Sequence, residues 1–164
     1  MKDKKFAGII SLVFMIALTA FAIWGSDFLA NMNAAETVAM DVNGAEGIVE
    51  ASKTVDGDGN ATGYVVVATA KGYNGDVKMS ITFDADATTI KSFEVLENNE
   101  TPGLGALIAE ADFTGSLQGV TTPVHLTGTE GEGTAIDGVS NATYSSKAVV
   151  TGINSANAYL AANK

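Results

Sequence analysis

Positions 6 to 24, FAGIISLVFMIALTAFAIW, form an unbroken uncharged run. As a helix rising ~1.5 Å per residue it would span roughly 28 Å, close to the hydrocarbon thickness of a bilayer. Trp24 closes the run, where aromatic rings favour the membrane interface. The pattern predicts one transmembrane helix. Asn31 to Ser52 is Ala-rich, with Met32, Val38, Met40, Ile48 and Val49, and reads as a helical segment broken near Asn43-Gly44. Val55 to Gly63 is turn-rich. Its D-G-D-G-N string lacks the spacing and closing Glu of a calcium loop, so a hairpin connection is expected.

Beyond it the period changes. Tyr64 to Ala70 is β-branched and apolar, and Val77 to Phe83 and Thr89 to Leu96 alternate apolar with polar. Short turns at Gly72–Gly75 and Asp84–Ala87 join them, so an antiparallel meander is predicted. Ala106 to Phe113 reads as a short helix, Pro123 to Leu126 as a further strand and Thr127 to Gly138 as a loop. Ser145 to Leu160 reads as a helix with Val149, Ile153, Ala156 and Leu160 on one face. The fold class is α+β: one N-terminal membrane helix, then an antiparallel sheet with flanking helices. The domains are 1–26 (cytoplasmic stub and membrane helix), 27–62 (helical connector) and 63–164 (the folded domain).

Charge sharpens this picture. Lys2, Lys4 and Lys5 stand against Asp3 before the apolar run, whereas the rest of the chain carries six Lys and eighteen acidic residues. The positive-inside rule places the N-terminus in the cytoplasm and the acidic part across the membrane. A cleaved signal peptide is the alternative, with Ala20-Phe21-Ala22 as a nominal cleavage site. The run exceeds the ~7–15 residues of a signal core and continues past that site, which favours a retained anchor. Gly8, Ser11 and Ala17 are small enough to allow close helix contact within the membrane. With no Cys there is no disulfide, thiolate metal site or cysteine nucleophile, and the acid excess argues against nucleic acid.

Two loops, each followed by a helical pattern, carry the chemistry. In Glu100-Thr101-Pro102-Gly103-Leu104-Gly105, two glycines flank Leu104 and let a ligand approach the backbone. In Asp137-Gly138-Val139-Ser140-Asn141-Ala142-Thr143-Tyr144-Ser145, hydroxyls crowd a helix start, where free N–H groups and the helix dipole favour an anion. Taken alone, both also fit ordinary turn and N-cap chemistry.

The order K-G-Y-N-G at Lys71–Gly75, two strands, E-T-P-G-L-G and then D-G-V-S-N-A-T-Y-S-S resembles the FMN-binding domain family. Its best-known members are the G subunit of Rnf-type ferredoxin:NAD oxidoreductase complexes and the C subunit of sodium-pumping NADH:quinone oxidoreductases. The similarity runs from about Gly63 to Leu160, and a single membrane helix is also like those subunits. The resemblance implies FMN esterified through its phosphate to the Thr that ends the second motif, here Thr143, by a separate flavin transferase. It implies further cofactor contacts from Glu100, Thr101, Gly103, Leu104, Gly105, Asp137, Ser140, Asn141 and Ala142. Asn141 stands where the family has Gly, and Asn accepts left-handed backbone better than other side chains. Tyr73 and Tyr144 are candidate stacking partners or ordinary core. His125 is a candidate proton donor, or a structural histidine.

The implied function is electron relay within a membrane redox complex of the Rnf type coupled to ion transport. Its partners would be other membrane subunits, the flavin transferase and membrane lipid. The chain is not expected to be catalytic alone, and no metal is called for. A stand-alone exported flavoprotein serving extracellular electron transfer or a surface reductase is the alternative. A non-redox anchored binding module is the third reading.

Overall fold

Alternation along the chain becomes a real meander in the computed structural model, which describes residues 36–164. β3 (Ala61–Lys71), β4 (Asp76–Asp84) and β5 (Ile90–Glu97) pair antiparallel in sequence order. Register puts Val66 opposite Ile81, Ala68 opposite Met79 and Tyr64 opposite Phe83, so these side chains share one face. All six are buried. The sheet has five strands rather than three, because β1 (Glu36–Ala39) and β2 (Ile48–Val55) precede the meander in the same sheet.

That is a correction to the expected helical connector. From Glu36 onward the segment is extended, and residues 31–35 lie outside the described part. Ile48 and Ala51 of β2 join the buried face, and the predicted break is a turn in which Asp41 accepts the Asn43 N–H at 3.0 Å. Strand pairing overrides the helix preference of an Ala-rich segment. The predicted membrane helix also lies outside the described residues, and among them no helix is long and apolar enough to cross a membrane.

The sheet's apolar face is covered by the longer helix, α2 (Thr143–Asn163). Its predicted stripe holds: Val149, Ile153, Ala156 and Leu160 are all 0% exposed. Each large side chain fully buried in this layer is worth about 1.5–3 kcal/mol. Gly152 lets α2 approach, since a Cβ there would run into the Met79 side chain. At the far end, the Tyr159 hydroxyl donates to the Asp41 carbonyl at 2.9 Å. Burial and the nearby Asp41 charge push the Tyr159 pKa up.

Two further expectations need correcting. Ala106–Phe113 is not one helix but a 3-10 turn (Gly105–Ala109) and then α1 (Ala111–Ser116), separated at Glu110 by extended backbone. The break allows both Ile108 and Leu117 to reach the core, where each is 0% exposed. The loop after β6 (Val124–Leu126) contains a strand, β7 (Thr134–Ile136), which pairs with β6 in parallel outside the main sheet. Asn154 of α2 pins this unit. Its Oδ1 accepts the Val124 N–H at 2.8 Å and its Nδ2 donates to the Val124 carbonyl at 2.9 Å. Asn157 accepts the Thr122 hydroxyl at 2.9 Å.

Candidate functional site

Three segments far apart in sequence meet at the N-terminal end of α2: the Gly72–Gly75 turn, the Glu100–Gly105 loop and the Asp137–Ala142 loop. Their junction is the carboxylate of Glu100, which is 5% exposed. It accepts the backbone N–H groups of Tyr73 at 3.2 Å and Asn74 at 2.9 Å, and the hydroxyl of Ser145 donates to it closely. Burial opposes its ionisation. The Ser145 hydroxyl and the two amides outweigh burial and hold the Glu100 pKa below the usual carboxylate value.

This geometry reassigns several residues. The sequence pattern places Glu100 among the flavin contacts, but the structure turns its side chain inward and commits it to protein donors. Gly105 is buried, and a Cβ there would meet Ser145 Oγ and lie 2.8 Å from Glu100 Oε2. A Cβ on Gly72 would lie 2.6 Å from Glu100 Oε1. Real Cβ atoms do not approach so closely, so both glycines are required by the packing of one carboxylate. Gly103 serves the turn itself, with φ +72 and open space around it. Thr101 bridges the two loops, its hydroxyl accepting from Asn74 Nδ2 at 3.1 Å.

The start of α2 is shaped differently. Ala142 is buried at the N-cap, and no side chain caps the helix. The predicted hydroxyl of Ser145 is used on Glu100, and its neighbour Ser146 serves the preceding loop. Ser146 Oγ accepts the Val139 N–H at 2.9 Å and donates to the Ala142 carbonyl at 3.0 Å. Sequence reasoning missed Ser146, because one more Ser in a hydroxyl-rich string carries no distinguishing mark. Asn141 takes φ 61, in the left-handed region that glycine enters freely. Thr143, Ser140 and Asp137 are all exposed. Thr143 therefore stands at the surface on the first turn of a 21-residue helix, beside unsatisfied amides and the positive end of its dipole.

Exposed apolar groups surround it. Among the described residues the exposed large hydrophobics are Val38, Val49, Tyr73, Leu104, Leu107 and Tyr144, and the last four come from the segments meeting here, the 3-10 turn or the first turn of α2. Tyr73 and Tyr144 face each other with ring centroids 5.9 Å apart, tilted by 51°. At 69% and 66% exposed, neither is core. A cleft of about 440 Å³ is lined by Leu107, Glu110, Ala111, Asp112, Phe113 and Val139. A hydroxyl, free helix amides and an aromatic–aliphatic surface fit a phosphate carrying a flat ring system.

His125 lies elsewhere. It sits in β6 with Nδ1 3.4 Å from the Glu132 carbonyl, against Gly131, and lines a separate cleft of about 620 Å³ beside Lys147 and Val150. These contacts favour its structural reading.

The chain is similar to several known proteins. Over 112 residues the chain is 41% identical to the G subunit of the ion-translocating oxidoreductase complex of Methanosarcina acetivorans, covering 68% of this chain and 58% of that protein. It is 34% identical over 100 residues to the G subunit of the proton-translocating ferredoxin:NAD(+) oxidoreductase complex of Clostridium ljungdahlii, covering 60% and 54%. The chain thus spans less than two thirds of the length of these curated relatives. Among solved structures, the C subunit of the Na(+)-translocating NADH-quinone reductase of Parabacteroides distasonis superposes with a TM-score of 0.54 at 28% identity, covering 68% of this chain and 61% of that one. NqrC from Shewanella oneidensis shares the fold, with a TM-score of 0.55 at 23% identity over 70% and 61% of the two chains. The FMN-binding domain model matches residues 72–158, more than half of the chain and all three segments of the site. The chain belongs to the FMN-binding domain family.

Proposed function

We propose that this protein is the flavin-bearing electron-transfer subunit of a membrane-bound, ion-translocating oxidoreductase of the Rnf type, with FMN held by a phosphoester to Thr143. The observation that carries the reading is the exposed Thr143 on the uncapped first turn of α2. The curated relatives, both named as G subunits of ion-translocating complexes, support the setting.

Bound there, FMN supplies one-electron redox chemistry that no side chain of this protein can perform. The chain's own residues hold it. The amides at the start of α2 would hold the phosphate, since a phosphodiester at a helix N-terminus is favoured by the dipole. Asn141 turns the backbone so that Thr143 opens the helix toward solvent. Leu104, Tyr73 and Tyr144 offer apolar surface to the ring system. The attachment point is open, which suits electron exchange with a docked partner subunit. A covalent bond prevents loss of the cofactor from a domain on the extracytoplasmic side.

The remaining elements of the proposal rest on the sequence. The Phe6–Trp24 run would anchor the chain in lipid, with Lys2, Lys4 and Lys5 on the cytoplasmic side. A flavin transferase would load Thr143, and neighbouring membrane subunits would donate and accept electrons.

The test is intact mass after co-expression with a flavin transferase. The wild-type chain should gain roughly 440 Da, the FMN moiety added through its phosphate. Its band on a denaturing gel should fluoresce under ultraviolet light. Thr143→Ala should abolish both signals, and a wild-type chain at its bare polypeptide mass would refute the reading.

A further inference from the structure

We infer that Glu100 is a positioning residue that presents Thr143 for modification, rather than a contact of the flavin. The inference rests on the reading of Thr143 given above. Its grounds are the connections of one carboxylate. Glu100 joins the turn after β3 through Tyr73 and Asn74, its own loop, and α2 through Ser145. Ser145 lies two residues after Thr143, so the direction of the first helical turn is set by the bond it makes. Tyr73, whose amide Glu100 holds, bears the ring that meets Tyr144, which follows Thr143 directly. One buried anion therefore fixes both the hydroxyl and the aromatic surface beside it. The fit leaves no slack: Gly72 and Gly105 approach so closely that neither tolerates a Cβ without displacing the carboxylate. The oxygens face protein donors and are spent on them. A mispositioned hydroxyl reacts slowly even in a folded protein, since displacement by ~1 Å is enough to cost on the order of 100-fold in rate.

The experiment follows the rate of FMN attachment by intact mass, using the full chain with its flavin transferase, at a temperature where every variant is folded. Glu100→Ala is compared with Val149→Ala, a truncation in the core face of the same helix that lowers stability without touching the site. Glu100→Ala should slow attachment at least about tenfold, whereas Val149→Ala should stay within about twofold of wild type. Glu100→Gln keeps the shape and one acceptor and should recover to within about threefold. Attachment to Glu100→Ala at the wild-type rate would overturn the inference, and so would an equal slowing in Val149→Ala.

Amide hydrogen exchange on the unmodified chain gives a second, independent readout. In Glu100→Ala, exchange at Tyr73, Asn74 and the first turn of α2 should speed up at least about tenfold while β4 stays protected. Unchanged protection at those amides would also overturn the inference. A wild-type chain that gains no mass would sink the Thr143 reading and the presenting role with it, whereas a loaded wild type with unchanged rate or protection in Glu100→Ala would sink the inference alone.

Discussion

Two of the polar joints that fasten helix α2 to its surroundings are of opposite kinds. In its fourth turn Asn154, a neutral amide, gives one donor and one acceptor to the backbone of Val124, and acts as a strand edge would. In its first turn Ser145 gives its hydroxyl to Glu100, an ionised acid that gathers donors from two segments. The neutral clamp closes a structural seam. The charged one organises loops whose outer surface stays open. An anion can satisfy several donors arriving from different directions, which an amide with one acceptor atom cannot. That is why the charged joint stands where three segments converge, and the neutral one where a single strand needs an edge.

The contrast can be broken by removing each joint. Glu100→Ala strands two backbone amides and Ser145, and should lower unfolding free energy by about 3 kcal/mol in urea titration. Asn154→Ala loses two neutral hydrogen bonds and should cost about 2 kcal/mol. Equal costs, or the reverse order, would show that the charge at Glu100 adds nothing. Acid separates the two joints more finely. The folded chain lowers the Glu100 pKa from its ordinary 4.5, so its stabilisation is complete above that value and fades as pH falls through the lowered one. The stability gap between wild type and Glu100→Gln should therefore shrink as pH falls below the ordinary 4.5, while the gap to Asn154→Ala stays flat. Asp86, whose pKa is lowered by Thr89 and Thr88 against the effect of burial, and Asp56, lowered by Asn60, titrate alike in every variant and cancel in the comparison. The smallest effect belongs to Asn141. Relief of left-handed strain and the added freedom of glycine oppose each other, so Asn141→Gly should change stability by no more than about 0.5 kcal/mol. A larger change in a thermal melt would mean that the Asn side chain has a role beyond its backbone.

The meander was readable because each of its strands buries one face, and the period-2 signal at Val77, Met79, Ile81 and Phe83 reports that directly. The stripe on α2 was readable for the same reason. β1 was not, since all four of its residues are exposed and leave no alternation to detect. β7 was hidden because three residues after Gly133 are too few to carry a period. The motifs marked loops that converge at the start of α2 but not the division of labour within them. A Glu in a glycine-rich loop reads as a ligand contact, because its true partners lie 26, 27 and 45 positions away. Gly105 likewise looked like a concession to a ligand, when the groups pressing on it are internal side chains.

Those separations also order events in time. Ser145 is made 45 residues after Glu100, and the junction cannot be completed before α2 docks on the sheet. A partly synthesised or misfolded chain therefore lacks the ordered surface around Thr143. Were FMN attached at Thr143 as proposed, its attachment would act as a checkpoint on completed folding, and a yellow colour would certify assembly.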